Sequence, residues 1–298
     1  MVCIRLPFVN SEVGPLREVV MHLPGREVLL VNDNNYRQYL FRSPMNMERA
    51  REEVMGLAEL YRSEGVNVNI VEGLEDKPNA MYARDPFLMT PRGAVISRFM
   101  YEVRRGEERA YMDAIEKLGY PVVKIMTEPE VFEGGNAMIL GPSVALVGVG
   151  ERTNRHGLEA LRKVLAGSGI EEVIDIQTPM SSIHIDEYTA QVDVRTVITV
   201  RQVFPWEAAE RLRRAGFNVL TVEYSQLPGG IGGRLCMNMV ALRPRRVVIG
   251  SGCDGVRRVL ESEGIDIIEV EVDEVLRGGG GVHCLTGVLA REPVRDSS

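Results

Sequence analysis

The chain has 298 residues, 45% hydrophobic and 26% charged, and its 35 basic and 42 acidic side chains leave a formal charge of −7. That is globular composition, long enough to bury a large core as one big domain or two ordinary ones. The acid excess argues against nucleic acid as the main ligand, and the longest apolar stretch, 138–150, is too short and too broken by Gly141-Pro142 to cross a bilayer.

The N-terminus has no apolar signal-type segment, so a cytoplasmic protein is expected. A strand at 18–23 opens the pattern, with an early hairpin expected to complete its sheet. Five segments then read as amphipathic helices, at 45–63, 107–118, 153–167, 205–215 and 254–263, each ending at a glycine that leads into a β-rich run. Those glycines, Gly65, Gly119, Gly169, Gly216 and Gly264, are 54, 50, 47 and 48 residues apart. Further strands are expected at 93–98, 136–140, 143–148, 191–200, 237–242 and 246–250, and the last unit closes on 282–291. A unit of about three strands and one helix repeated five times can close in a ring that leaves no long exposed sheet edge. The chain is therefore expected to form a single domain over 1–295, with a disordered tail at 296–298.

Four cysteines, at 3, 236, 253 and 284, form no Cys-x-x-Cys pair, and with no export segment a disulfide is not expected. Cys236 and Cys253 read as small buried fillers. The histidines at 22, 156, 184 and 283 lack metal-ligand spacing, so no metal site is expected. The glycine runs 229–233 and 278–281 read as loops and do not fit a dinucleotide fingerprint.

Chemistry concentrates at four places. Cys284 follows four glycines that let backbone approach a ligand closely, which suits a nucleophile. His184 and Asp186, two apart in an extended segment, would project together as a proton carrier and a fixed charge; read as structure alone they are a solvated strand end. His283, on the opposite face from Cys284 in such a segment, reads as a supporting residue. Asp85 stands before Pro86, and Glu133 before Gly134-Gly135-Asn136; each alone is ordinary turn chemistry. Together, a thiol and three carboxylates suit a planar cation such as a guanidinium, which carboxylates bind bidentately while sulfur attacks its carbon.

The segments Asn79 to Phe87, Glu133 to Asn136, His184-x-Asp186 and the Cys284 loop resemble the guanidino-group-modifying enzymes. These are the arginine deiminases, amidinotransferases and dimethylarginine dimethylaminohydrolases. The resemblance runs from Ser11 to Arg291 and implies a five-bladed α/β propeller with pseudo-fivefold repeats. It implies that Asp85 and Asp186 grip the guanidinium and that Glu133 and His184 handle protons. Cys284 would carry a covalent adduct, and Asn79, Arg104 and Arg152 would hold the amino-acid end of the substrate. Asn136, where deiminases carry Asp, is a further substrate-binding candidate. No metal or organic cofactor is implied, and self-association into a homo-oligomer is left open.

The front half most resembles arginine deiminase, implying hydrolysis of arginine to citrulline and ammonia. Gly279 and His283 stand where deiminases carry Arg. His283-Cys284-Leu285-Thr286 and Cys236-Met237-Asn238-Met239 look more like the amidinotransferase branch, and the chain lacks room for the deiminases' helical insertion. Amidino transfer, dihydrolysis to ornithine and dimethylarginine hydrolysis are the alternatives within the superfamily. A non-catalytic propeller that binds a partner is the alternative outside it.

Overall fold

The computed structural model describes residues 8–295, so Cys3 and the 296–298 tail lie outside the described residues. Five helices form where apolar residues recur on one face: α1 (Met47–Ser63), α2 (Glu107–Lys117), α3 (Arg155–Gly167), α4 (Trp206–Arg214) and α5 (Asp254–Ser262). Asn46 and Asn154 cap α1 and α3, accepting from the N–H of Arg49 and Gly157, so α3 begins two residues later than the apolar pattern suggests. The five repeat glycines all adopt positive φ, between 70° and 87°, ending each helix and turning the chain into a strand.

Each helix connects two parallel strands of a three-stranded sheet, and a leading strand pairs antiparallel with the first of them. Blade one holds β1 (Leu16–Met21) and β2 (Asn67–Ile70) around α1. Blade two runs β3 (Phe87–Thr90), β4 (Gly93–Ile96), α2, β5 (Val122–Ile125). Blade three runs β6 (Ala137–Ile139), β7 (Val144–Val149), α3, β8 (Glu172–Gln177). Blade four runs β9 (Thr189–Asp193), β10 (Thr196–Val200), α4, β11 (Asn218–Val222). Blade five runs β12 (Val240–Arg243), β13 (Arg246–Gly250), α5, β14 (Asp266–Val270). Finally β15 (Gly287–Arg291) returns as the leading strand of blade one. The leading strands are almost wholly buried and the trailing ones half-exposed, as in a five-bladed α/β propeller whose core is packed between blades.

Three expectations change. Blade one is not completed by an early hairpin: the chain after β1 forms a short 3-10 turn at Arg26–Leu30 and further turns, and β15 takes the vacant edge, closing the ring. The apolar run at 191–200 is two strands, because Val194-Arg195 turns back on itself with the Val194 N–H held by Asp193 Oδ1 at 2.8 Å. Cys236 and Cys253 are disulfide-bonded, which their spacing of 17 residues did not signal. The ring brings the turn before β12 against the start of α5, and that proximity is invisible to a local motif. A strand unforeseen in the sequence, β3, pairs with β4 across Pro91-Arg92.

Candidate active site

Each leading strand is preceded by a short turn, and the predicted residues occupy four of the five turns. Asp85 precedes β3, Glu133 precedes β6, His184 and Asp186 precede β9, and Cys284 precedes β15. The turns are laced to one another. Arg84 N–H donates to Cys284 O (3.0 Å) and Gly134 N–H to Asp85 O (2.9 Å). Ile185 N–H donates to Asn136 Oδ1 (3.2 Å), and the N–H groups of His283 and Cys284 both donate to Asn238 Oδ1 (2.9 and 3.1 Å).

The side chains converge on a cavity of about 330 Å³, whose lining includes Asn79, Asp85, Arg104, Arg152, His184 and Cys284. His184 Nε2 donates to Glu133 Oε2 at 2.9 Å, and its Nδ1 lies 3.5 Å from Asp85 Oδ1. Gly135 makes room for this: a Cβ there would sit 2.6 Å from His184 Nδ1 and 2.9 Å from Asp85 Oδ1. Cys284 Sγ lies 3.9 Å from Asp186 Oδ2, which accepts from His283 Nδ1 at 2.7 Å. Gly280 packs under the ring of Tyr82 and against Cys284, where a side chain would collide. The glycine run therefore serves close approach, with only Gly279 of the four at positive φ.

His184 and Asp186 do not lie in a strand. His184 caps a 3-10 turn, Ile185–Glu187, that sends it toward Glu133 and Asp85 while Asp186 faces His283 and the thiol. Both are buried, which removes the solvated-strand-end reading. His283 supports Asp186 and lies 3.5 Å from Glu12, a buried acid that no sequence motif singled out as a site residue. Asn136 is not on the cavity wall. Its amide is spent on Thr153 Oγ1, Ile183 O and the Ile185 N–H, so it braces the His184 turn. Arg104 lines the cavity but is committed to Asp85 (2.6 Å) and Glu107 (2.8 Å), and Arg152 to Glu133 (3.1 Å). Asn79 donates to Tyr39 O at 2.9 Å.

Burial and pairing set the protonation states. Burial opposes charge on Glu133, but Arg152 and His184 override it and hold its carboxyl down at about 2. Burial likewise opposes charge on His184, yet Asp85, Glu133 and Asp186 lift it to about 9. Asp186 is held below the usual carboxylate range by His283 despite its burial. Burial raises Glu107 to about 7. The Cys284 thiol is pushed well up, first by burial and then by Asp186 and Asp85. Ligand atoms of Asp85, Glu133 and His184 lie within 4.8 Å of one another, but Arg104, Arg152 and the protonated imidazole already balance that charge.

A five-bladed α/β propeller with a cysteine, a histidine and paired carboxylates where its turns meet defines a guanidino-group-modifying enzyme, of the class that holds hydrolases and amidinotransferases. Within that class the chain belongs to the N,N dimethylarginine dimethylhydrolase family, whose eukaryotic family model matches residues 29–291. An uncharacterised protein of Aeropyrum pernix is 25% identical over 86% of this chain and 88% of its own. An arginine deiminase of Rhodococcus jostii is 24% identical over 96% of this chain and 97% of its own.

The fold is shared with a cysteine-to-serine variant of Pseudomonas aeruginosa dimethylarginine dimethylaminohydrolase complexed with citrulline. That match has a TM-score of 0.76 at 20% identity and covers 92% of this chain and 99% of the other. It is shared too with an amidinotransferase of Microseira wollei from saxitoxin biosynthesis, with a TM-score of 0.79 at 16% identity over 97% and 98% of the two chains. Among the described residues no helix is long and apolar enough to cross a membrane.

Proposed function

We propose that the protein hydrolyses the guanidino group of arginine or a close relative through a covalent Cys284 adduct, giving citrulline and ammonia from arginine. One observation carries the reading. Two buried carboxylate oxygens make no hydrogen bond: Asp186 Oδ1, beside the thiol, and Asp85 Oδ1, on the cavity wall, which faces only the His184 imidazole at 3.5 Å. A buried anionic oxygen without a donor is costly, and a guanidinium brings several coplanar N–H groups to satisfy both.

The chemistry follows from those contacts. Asp85 and Asp186 fix the planar cation with its carbon toward Sγ. Its positive charge offsets the two carboxylates that keep the thiol protonated, so binding itself favours the thiolate. Sulfur attacks the central carbon, one C–N bond breaks, and His184 gives its proton to the departing nitrogen, leaving an S-linked amidino adduct on Cys284. The neutral imidazole, steadied by Glu133, then takes a proton from water, whose oxygen bonds to the same carbon. The C–S bond breaks, and the thiol and a ureido product are restored.

The family match favours a second reading, in which a methylated arginine is the substrate and a methylated amine leaves in place of ammonia. Both share every step above and differ in the room around one guanidinium nitrogen. Incubation with arginine, methylated arginines, agmatine and citrulline, with and without glycine as acceptor, separates them by product mass. Citrulline with ammonia supports the first reading, citrulline with a methylamine the second, and a transferred amidino group an amidinotransferase. The covalent mechanism is wrong if Cys284→Ala leaves the activity unchanged, or if His184→Ala traps no Cys284 adduct with an S-alkylisothiourea analogue of the substrate, whose thiolate leaves without needing the proton of His184.

A further inference from the structure

Four of the five turns carry residues already placed in the chemistry, and the fifth carries Asn238. Asp85, Glu133, His184, Asn238 and Cys284 follow one another at 48, 51, 54 and 46 residues, so Asn238 stands at the fifth equivalent position of the repeat, just before β12. It is buried. Its Nδ2 donates to Cys284 Sγ at 3.2 Å and faces Asp186 O at 3.4 Å. The amide cannot be turned over, because its Oδ1 accepts two backbone N–H groups, those of His283 at 2.9 Å and Cys284 at 3.1 Å. Gly281 is the neighbour that admits this: a Cβ there would lie 2.9 Å from Asn238 Oδ1.

We propose that Asn238 is a catalytic residue that holds the nucleophile's sulfur as the thiolate, the contribution of blade five to the site. The proposal rests on the reading of Cys284 as nucleophile. After burial, the strongest charges acting on that sulfur, Asp186 and Asp85, oppose ionisation, while the backbone at Gly281 favours it. An amide N–H aimed at sulfur is stronger toward a thiolate than toward a thiol, so it favours the charged form and lowers the barrier to attack. Asn136 gives the contrast. It makes the equivalent brace in blade three, accepting the Ile185 N–H, but its Nδ2 reaches only Thr153 and Ile183 O and touches no reacting atom.

The two roles of Asn238, bracing the turn and donating to sulfur, separate by substitution. Asn238→Asp keeps the Oδ1 acceptor for both N–H groups and replaces the donor with an anionic oxygen. Asn238→Leu removes donor and acceptor without adding charge. The measurement is the rate of iodoacetamide alkylation of Cys284 against pH in the absence of substrate, read by mass on the Cys284 peptide, with thermal melting followed in parallel. In both variants the midpoint of that profile is expected to rise by about one unit, a roughly tenfold slower alkylation at any pH below it.

A rise in Asn238→Asp follows from its added charge in either case, so the deciding result is Asn238→Leu: a bracing role alone predicts a lower melting temperature there and an unmoved or lowered midpoint. That result would overturn the proposal. If Asn238→Leu fails to fold, the midpoint of Asn238→Ala, which also removes the donor without adding charge, decides. Because no substrate is present, failure of the guanidino reading would appear in the product assay and leave this profile untouched.

Discussion

His184 is lifted from 6.5 to about 9 although it is fully buried, and Asp85 makes the largest favourable contribution, from 3.5 Å. That shift corresponds to about 3 kcal/mol of preference for the imidazolium in the folded chain. Asp85→Asn tests it: the substitution discharges the 2.6 Å pair with Arg104 as well, but Arg104 keeps its contacts to Glu107, at 2.8 to 3.2 Å, and His184 keeps its bond to Glu133. The substitution should lower the His184 pKa by at least about one unit, ~1.4 kcal/mol, while Glu133 holds it above the unfolded value.

The sign for stability follows from folded His184 keeping a proton that the unfolded chain releases near 6.5. Its contribution is full below about pH 6.5 and is lost as pH rises through 9 in the wild type, and nearer 8 in the variant. The depressed carboxyl of Glu133 is owed first to Arg152 and then to the His184 contact, which both shifts share, so the two are not added. Imidazole NMR resolves this directly, since the chain has only four histidines and His184→Asn assigns the signal. The reasoning fails if wild-type His184 titrates near 6.5, or if its midpoint is the same in both proteins.

Two further outcomes are expected from buried contacts elsewhere. Arg84 is held by Glu12 Oε1 at 3.0 Å and Ala137 O at 2.6 Å, so Arg84→Met takes the closest cation from a buried carboxylate, leaving it His283 and Arg291, and should cost about 3 kcal/mol in denaturant melts. Adding Glu12→Gln should return part of that loss, and a double variant as weak as the single would refute the pairing. Reduction of Cys236–Cys253 should raise the thiol count of the denatured chain by two and, for a loop of 17 residues, remove about 3 kcal/mol of stability. An unchanged count would show that the bond does not form.

What the sequence made legible was what repeats or is local. The helices end where glycine can adopt positive φ, and Gly65, Gly119, Gly169, Gly216 and Gly264 marked both the elements and the fivefold period. Cys284, Glu133 and Asp85 stood out because each lies close to glycine or proline in a turn, and His184 because Asp186 stands two residues on. Long-range pairing was not legible. Nothing near β1 announces that β15, some 270 residues on, will complete its sheet, nor that Cys236 and Cys253 will meet. Arg104 and Arg152 line the cavity, but their ion pairs to Asp85 and Glu133, which depend on how the chain packs around the site, were not legible. Asn238 did have a signal. Extending the spacing of the site residues, and not only of the glycines, leads to it.

The lacing of the five turns explains why the site and the ring are one structure. Arg84 N–H to Cys284 O joins blades two and one, and Gly134 N–H to Asp85 O joins three and two. Asn136 joins three and four, while Asn238 joins five both to four through Asp186 O and to one through the N–H groups of His283 and Cys284. These bonds are made by buried groups that have no water to fall back on, so losing one leaves its partner unsatisfied. Since blade one is assembled from both ends of the described chain, Cys284 reaches its place only when β15 has paired with β1. The thiol cannot be aimed by a partly folded chain, and any change that loosens the closing strand should move the nucleophile before it moves Glu133 or His184, which sit in blades whose strands are contiguous in sequence.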